Sequence, residues 1–238
     1  MLAKLIRSLL FRLDVNKGFT FEAASLPAAL RRLARRGLTI NTVIDVGASN
    51  GQWSEEVIRF FPSANYLLIE AQEVHRTSLK EFSARHSKAH IVLKAAGSKS
   101  GVVLFDADDP FSGQAVDRGD HLGLIEVPLT TIDAEIARLN LAGPYLMKLD
   151  VHGYELPILE GATHALSNCA LAIIECYNFK IAENSLLFHD MCCHMEQLGF
   201  RVIDFSGPLW RKRDEALWQM DLFFIPASHR EFVSSSYQ

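Results

Sequence analysis

A chain of 238 residues that is 49% apolar, 22% charged and 10% aromatic, with 14 glycines and 8 prolines, has the proportions of one globular domain. Those proportions exclude disorder, collagen-like repeats and a small disulfide scaffold, and its apolar runs fall far short of the roughly 18 residues of a membrane span. The formal net charge is −4, yet the first 36 residues carry eight basic and two acidic side chains, so the rest carries −10; an acidic body of this kind argues against nucleic acid as a partner.

The front segment MLAKLIRSLLFRL is a poor secretory signal, because Lys4, Arg7 and Arg12 interrupt it and no small-residue cleavage site follows. Leu2, Ile6, Leu9 and Leu13 recur there at helical spacing. The plainer reading is a surface helix packed on the domain. The alternative is that residues 1–36 make peripheral contact with an anionic lipid surface on the inner membrane face, or with a phosphate-bearing substrate. A second helix is punctuated by Ser25, Pro27 and Gly37, so residues 1–40 read as a short helical N-terminal segment.

From Asn41 onward, short apolar β-rich runs alternate with amphipathic stretches. Strands are expected at Thr42–Val46, Tyr66–Glu70, Ile91–Ala95, Tyr145–Asp150, Leu171–Cys176, Arg201–Phe205 and Met220–Ile225, with helices at about 52–61, 73–86, 131–140, 154–166 and 186–198. Such alternation predicts an α/β domain, a parallel sheet with helices on both faces, over residues 41–230. Val102–Phe105 reads as an extra strand, Asp106–Gly123 as a long loop, and residues 231–238 as a flexible tail. Cys169, Cys176, Cys192 and Cys193 sit among apolar neighbours, which fits free thiols and a cytoplasmic location.

The most informative stretch is Thr42-Val43-Ile44-Asp45-Val46-Gly47-Ala48-Ser49-Asn50-Gly51-Gln52-Trp53-Ser54, a buried strand entering a small-residue turn and then a helix. Gly47 and Gly51 let backbone approach a ligand, and the helix offers free N–H groups. The G-x-G-x-x-G pattern of a dinucleotide site is absent, since Ser49 stands at the middle position. Glu70 ends the next strand about 20 residues on, where a carboxylate accepts hydrogen bonds from both ribose hydroxyls. Together these suggest a nucleoside without a diphosphate, and S-adenosylmethionine fits, its sulfonium suiting an acidic edge that includes Asp45. Asp45 also reads as a residue that fixes the turn.

This turn resembles that of the FkbM-type methyltransferases, whose D-V-G-A-N-x-G-x-x-S is matched by Asp45, Val46, Gly47, Ala48, Gly51 and Ser54, with Ser49 in place of the asparagine. Ala95-Ala96-Gly97, Gly101 and Thr131-Ile132-Asp133 continue the likeness, and Lys148-Leu149-Asp150-Val151-His152-Gly153-Tyr154-Glu155 with Leu159-Glu160-Gly161-Ala162 resembles a second block, K-x-D-x-E-G-x-E-x-x-x-L-x-G-A. The resemblance implies a Rossmann-like, seven-stranded, mostly parallel sheet with the last strand antiparallel. It also implies that Gly47, Ala48, Ser49, Asn50 and Gly51 hold the methionine part of S-adenosylmethionine, Glu70 the ribose, and the corner of Ala95, Ala96 and Gly97 the adenine, with Ala71 also among the cofactor-binding residues.

Lys148, Asp150 and His152 alternate along the end of the fourth strand and point to the carboxyl edge of the sheet, where ligands of open α/β sheets sit. The family carries glutamate where this chain has His152. Methyl transfer to a hydroxyl needs the hydroxyl proton to leave, and histidine suits that task near neutral pH. His152 is therefore read as the base, Asp150 as the group that orients it and Lys148 as the group that fixes Asp150. Asp150 as the base, proximity alone, and a strand-end ion pair with no chemistry stay open beside it. So does a divalent ion held by Asp150, His152 and Glu175, although no metal is expected. His189, Cys192, Cys193 and His194 diverge around a helix and do not read as a zinc site. Trp53, Tyr154, Tyr177 and Trp210 are candidates to line an acceptor pocket.

The expectation is thus an S-adenosylmethionine-dependent O-methyltransferase acting on a small-molecule or glycan acceptor, most specifically a sugar, glycan or glycolipid precursor. Its rivals are a binding protein that keeps the nucleoside pocket without turnover, and a nucleotide-sugar oxidoreductase.

Overall fold

The computed structural model describes residues 22–116 and 123–236; the expectations for residues 1–21 and for the last two residues lie outside these. Eleven strands are present in the described chain: β1 (Thr42–Val46), β2 (Asn65–Glu70), β3 (Ala89–Leu93), β4 (Ala95–Ala96), β5 (Gly101–Asp106), β6 (Gln114–Val116), β7 (Leu124–Thr130), β8 (Tyr145–Leu149), β9 (Cys169–Tyr177), β10 (Phe200–Trp210) and β11 (Leu217–Pro226). The α-helices are α1 (Leu26–Arg35), α2 (Gln52–Val57), α3 (Arg76–Arg85), α4 (Ile132–Leu139), α5 (Glu155–Glu160), α6 (Thr163–Ser167) and α7 (Phe188–Gln197). None of the described helices is long and apolar enough to cross a membrane.

Seven strands form the main sheet in the order β10-β11-β9-β8-β1-β2-β3. All are parallel except β11, which runs antiparallel to β9 and β10. The expected Rossmann-like architecture with an antiparallel last strand is therefore present. Side-chain alternation sorts the core into two layers. Val43, Leu68, Leu146 and Ile173 meet Leu30, Leu33, Val57 and Leu79 on one face. Ile44, Ile69, Met147 and Ile174 meet Ile136, Ile158, Ala165 and Met191 on the other. α1 begins as its sequence dictates, with Ser25 as N-cap and proline in the first turn, and Arg32 ties it to β10 through a two-pronged ion pair with Asp204 at 2.6 and 2.7 Å.

The region after β3 departs from expectation. Ala95 leaves the main sheet and joins a second sheet of order β4-β7-β5-β6, packed around Val103, Phe105, Ala115, Val127 and Leu129. The stretch read as one long loop thus contains β6, and β7 follows it. The single helix expected over 154–166 is two, α5 and α6, separated at Gly161. A Cβ at Gly161 would lie 2.0 Å from the Gly97 carbonyl oxygen, so the chain passes too close there for a side chain.

Candidate functional site

The order of the main sheet reverses between β1 and β8, and the crevice beyond their carboxyl ends is where an open α/β sheet places a ligand. Gly47 turns the chain there with φ of 73°, and its missing Cβ would lie 1.9 Å from the carbonyl oxygen of Asp150. Ser49 (φ 48°) donates its N–H to Glu70 Oε2, and Gln72 donates its N–H to Glu70 Oε1, each at 2.7 Å. Burial pushes the Glu70 carboxyl up, against the pull of these two donors. Each of its oxygens keeps a further lone pair for a ligand.

Beside the turn opens a cavity of about 270 Å³ whose wall includes Gly47, Ala48, Ser49, Asn50, Glu70, Ala71, Ala95, Ala96, Lys148, Asp150 and His152. The structure brings these sequence-chosen residues together. Asp45 and Gly51 do not line it. Asp45 is fully buried beneath the turn, accepting from Ser54 Oγ at 2.7 Å and lying 3.3 Å from Lys148 Nζ, its partner across the β1–β8 ladder. Gly51 (φ 83°) starts α2 and faces Leu79 and Phe82; its glycine serves the left-handed backbone, not close approach to a ligand.

At the β8 end, Lys148 Nζ is 3.1 Å from Asp150 Oδ2, donates to the Gly47 carbonyl at 3.2 Å and lies 5.6 Å from the Trp53 ring centroid. Burial works against the ammonium, but Asp150 and Asp45 outweigh it and hold its pKa up. Burial likewise works against the Asp150 carboxylate, and Lys148 outweighs it and holds that carboxyl low. Glu175, on β9, is pushed up to about 9 by burial and by the charge of Asp150. It accepts from the Tyr177 hydroxyl at 2.5 Å and from Gln219 Nε2.

His152 stands in a left-handed conformation (φ 55°). Its Nδ1 lies 3.3 Å from the Gly113 carbonyl oxygen, an acceptor only, which puts the proton of the neutral ring on Nδ1. Nε2 faces Asp150 Oδ1 at 3.6 Å and Glu175 Oε2 at 3.7 Å. These separations exceed a hydrogen bond, so Gly113, not Asp150, orients the ring. Gln114 fixes the backbone beside it by donating to the His152 carbonyl.

A second cavity of about 480 Å³ adjoins the first, walled by Ser112, Gln114, Glu175, Tyr177, Ile181, Trp218 and Gln219 and sharing Phe111, Asp150 and His152 with it. Of the aromatic residues proposed for an acceptor pocket, Tyr177 is there, while Trp53 and Tyr154 line the first cavity. Trp210 is 46% exposed on β10; the tryptophan of the second cavity is Trp218, on the neighbouring strand. Gln72 and His75 escaped the sequence reading. They hold the 109–111 stretch through its carbonyls, Gln72 Nε2 at 3.1 Å from Asp109 O and 3.0 Å from Pro110 O, and His75 Nε2 at 2.7 Å from Pro110 O. Contacts to backbone carbonyls leave no pattern in sequence. Among the described residues, the ligand-type groups that converge are those of Asp150, His152 and Glu175, all within 4.8 Å of one another.

Residues 44–202 match the sequence model of the methyltransferase FkbM domain. No curated protein matches the chain by sequence. Among solved structures, the methyltransferase FkbM from Methylobacillus flagellatus KT aligns over 79% of this chain at 17% identity with a TM-score of 0.49; the chain spans 46% of that protein. The fibrillarin pre-rRNA processing protein of Methanococcus jannaschii aligns over 78% of this chain and 66% of its own at 13% identity and TM-score 0.49. Aeropyrum pernix fibrillarin, solved with natively bound S-adenosyl-L-methionine, aligns over the same shares at 9% identity and TM-score 0.47.

Proposed function

This chain belongs to the FkbM methyltransferase family, and we propose that it transfers a methyl group from S-adenosylmethionine to an acceptor hydroxyl on a sugar, glycan or glycolipid precursor. The observation that carries this reading is the shared wall: two cavities of different chemistry meet at Asp150 and His152, as donor and acceptor sites of a direct transfer must.

The residues of the first cavity fit the donor. Glu70 keeps lone pairs for two ribose hydroxyls, the Gly47–Asn50 turn borders the space for the methionine end, and Ala95, Ala96, Phe105 and Ala115 give an apolar lining for a base. When bound, S-adenosylmethionine supplies an electrophilic methyl on a sulfonium. Lys148 holds Asp150 in place at that end, and Asp150 Oδ1 and His152 Nε2 make the face at which an acceptor hydroxyl loses its proton, with the Glu175 carboxyl beside them. Holding both partners against one wall supplies orientation, the larger part of many such accelerations.

The second cavity favours a sugar. Trp218, stacked on Phe179 at 5.3 Å, and Tyr177 offer ring faces and edges to C–H groups, and Ser112, Gln114 and Gln219 offer neutral hydrogen-bonding groups to hydroxyls. The acidic balance of the chain beyond residue 36, −10, disfavours a polyanionic partner such as RNA. Mass spectrometry of glycans and lipids from cells with and without the protein tests the reading: methyl-bearing species should vanish with it. Methylation confined to amines or RNA would overturn the acceptor class, and tighter binding of NAD than of S-adenosylhomocysteine in calorimetry would overturn the donor.

A further inference from the structure

We propose that Asp150, His152 and Glu175 bind a divalent metal ion of the Mn²⁺ or Mg²⁺ type, which activates the acceptor hydroxyl; the activating role, though not the binding, rests on the methyl-transfer reading above. Two segments far apart in sequence converge here: the turn after β8, which carries Asp150 and His152, and β9, which carries Glu175. The imidazole is oriented as metal-bound imidazoles are, with Nδ1–H directed to a backbone carbonyl, that of Gly113. That bond leaves Nε2 facing two carboxyl groups at 3.6 and 3.7 Å, too far for a hydrogen bond to either. Around a six-coordinate ion with bonds near 2.1 Å, neighbouring ligand atoms stand about 3 Å apart, so side-chain adjustments below 1 Å close the site.

The donor set is mixed, two carboxyl groups and one imidazole, the ion displacing the proton of Glu175 as it binds, which suits Mn²⁺ better than a soft ion, with positions left for water and substrate. Outer partners are in place for each ligand. Glu175 is held by the Tyr177 hydroxyl and Gln219, and Asp150 by Lys148 at Oδ2, leaving Oδ1 directed to the imidazole. All three ligands border the second cavity, so an acceptor hydroxyl entering it reaches the ion directly. Beside the ion the hydroxyl gives its proton to solvent water more readily. Its oxygen then bonds to the methyl carbon while the carbon–sulfur bond breaks and its electron pair leaves on sulfur.

The test begins with Mn²⁺ alone titrated calorimetrically into the chelator-stripped, full-length protein without donor or acceptor, so failure of the acceptor assignment cannot be mistaken for failure of the site. One ion should bind per chain, and electron-spin-echo spectra should show coupling to an imidazole nitrogen. Glu175→Gln keeps the shape and should weaken Mn²⁺ at least 10-fold; His152→Ala should do the same and erase the nitrogen coupling. Circular dichroism and thermal unfolding report that each variant is folded, and if His152→Ala fails that check, Glu175→Gln and the wild-type spectrum decide. Absence of Mn²⁺ binding, or binding that both variants leave within 2-fold, overturns the site. Methyl transfer that persists in excess chelator while His152→Ala loses 10²-fold or more overturns the activating role and makes the imidazole a direct base. Loss of transfer in chelator with recovery on Mn²⁺ supports the proposal.

Discussion

Replacing Gly47 by alanine separates two costs that glycine substitutions usually confound. At φ of 73° an L side chain costs about 1–2 kcal/mol from backbone geometry alone. The new Cβ would also lie 1.9 Å from the Asp150 carbonyl oxygen, and relieving that overlap needs the β8 terminus to retreat by more than about 1 Å, an overpacking cost of about 1–3 kcal/mol. The neighbouring Asp150 N–H bonds Val46 at 3.1 Å, so this retreat pulls apart the β1–β8 junction. The sum is about 2–5 kcal/mol. Gly51→Ala is the internal control: it has the same handedness, φ 83°, but its Cβ meets nothing nearer than 3.5 Å, so only the backbone cost of about 1–2 kcal/mol applies. Urea unfolding of both variants gives the difference, and calorimetry with S-adenosylhomocysteine should show affinity falling further in Gly47→Ala. Equal stabilities of the two variants would refute the steric account of this turn.

Glu70→Ala should weaken S-adenosylhomocysteine by about 1–3 kcal/mol in calorimetry, because ribose acceptors are lost and the Ser49 and Gln72 N–H groups lose their partner. Lys148→Met strands the fully buried Asp45 carboxylate and should cost about 3–5 kcal/mol in chemical unfolding, most of it restored by adding Asp45→Asn. Asp221 is raised from 3.8 to about 6 by burial and by the charge of Asp150. Its contribution to stability is thus full below the unfolded pKa and is lost as pH rises through about 6. Asp221→Asn should exceed the wild type in stability at pH 7.5 by up to about 3 kcal/mol, at about 1.4 kcal/mol per pH unit, with the gap closing toward pH 4; a gap unchanged with pH would count against the burial of a charge there.

The main sheet was legible because its strands are apolar runs bounded by turn residues, and the Gly47 turn because a strand, a small-residue corner and a helix follow one another without interruption. The second sheet was not. β4 and β6 have two and three residues, too few for periodicity to register, and β7 carries Pro128, which reads as a strand breaker although it pairs with Val102 near the start of β5. Lys148, Asp150 and His152 announced themselves as polar residues at the end of an apolar strand. Glu175 was legible only as a pocket wall, a structural acceptor or a candidate ligand, because its position level with Asp150 follows from the β8–β9 register, which pairs Leu149 with Ile174 and appears only once the strands are laid side by side. Trp218 and Trp210 are eight positions apart on strands joined by a turn, and bulges in β10 defeat any attempt to choose between them by counting.

Two chambers divided by one wall also constrain the order of events. In the proposed reaction neither substrate need pass through the other's chamber, and the wall carries no group that must hold the methyl between them. Kinetics should therefore follow a ternary complex with either substrate able to enter first, never a substituted-enzyme cycle. The same partition separates what evolution can alter. Residues such as Ser112, Ile181 and Trp218 border only the second chamber, so exchanging them re-addresses the catalyst to another acceptor while the donor chamber, bounded elsewhere by the Gly47 turn and Glu70, keeps its affinity.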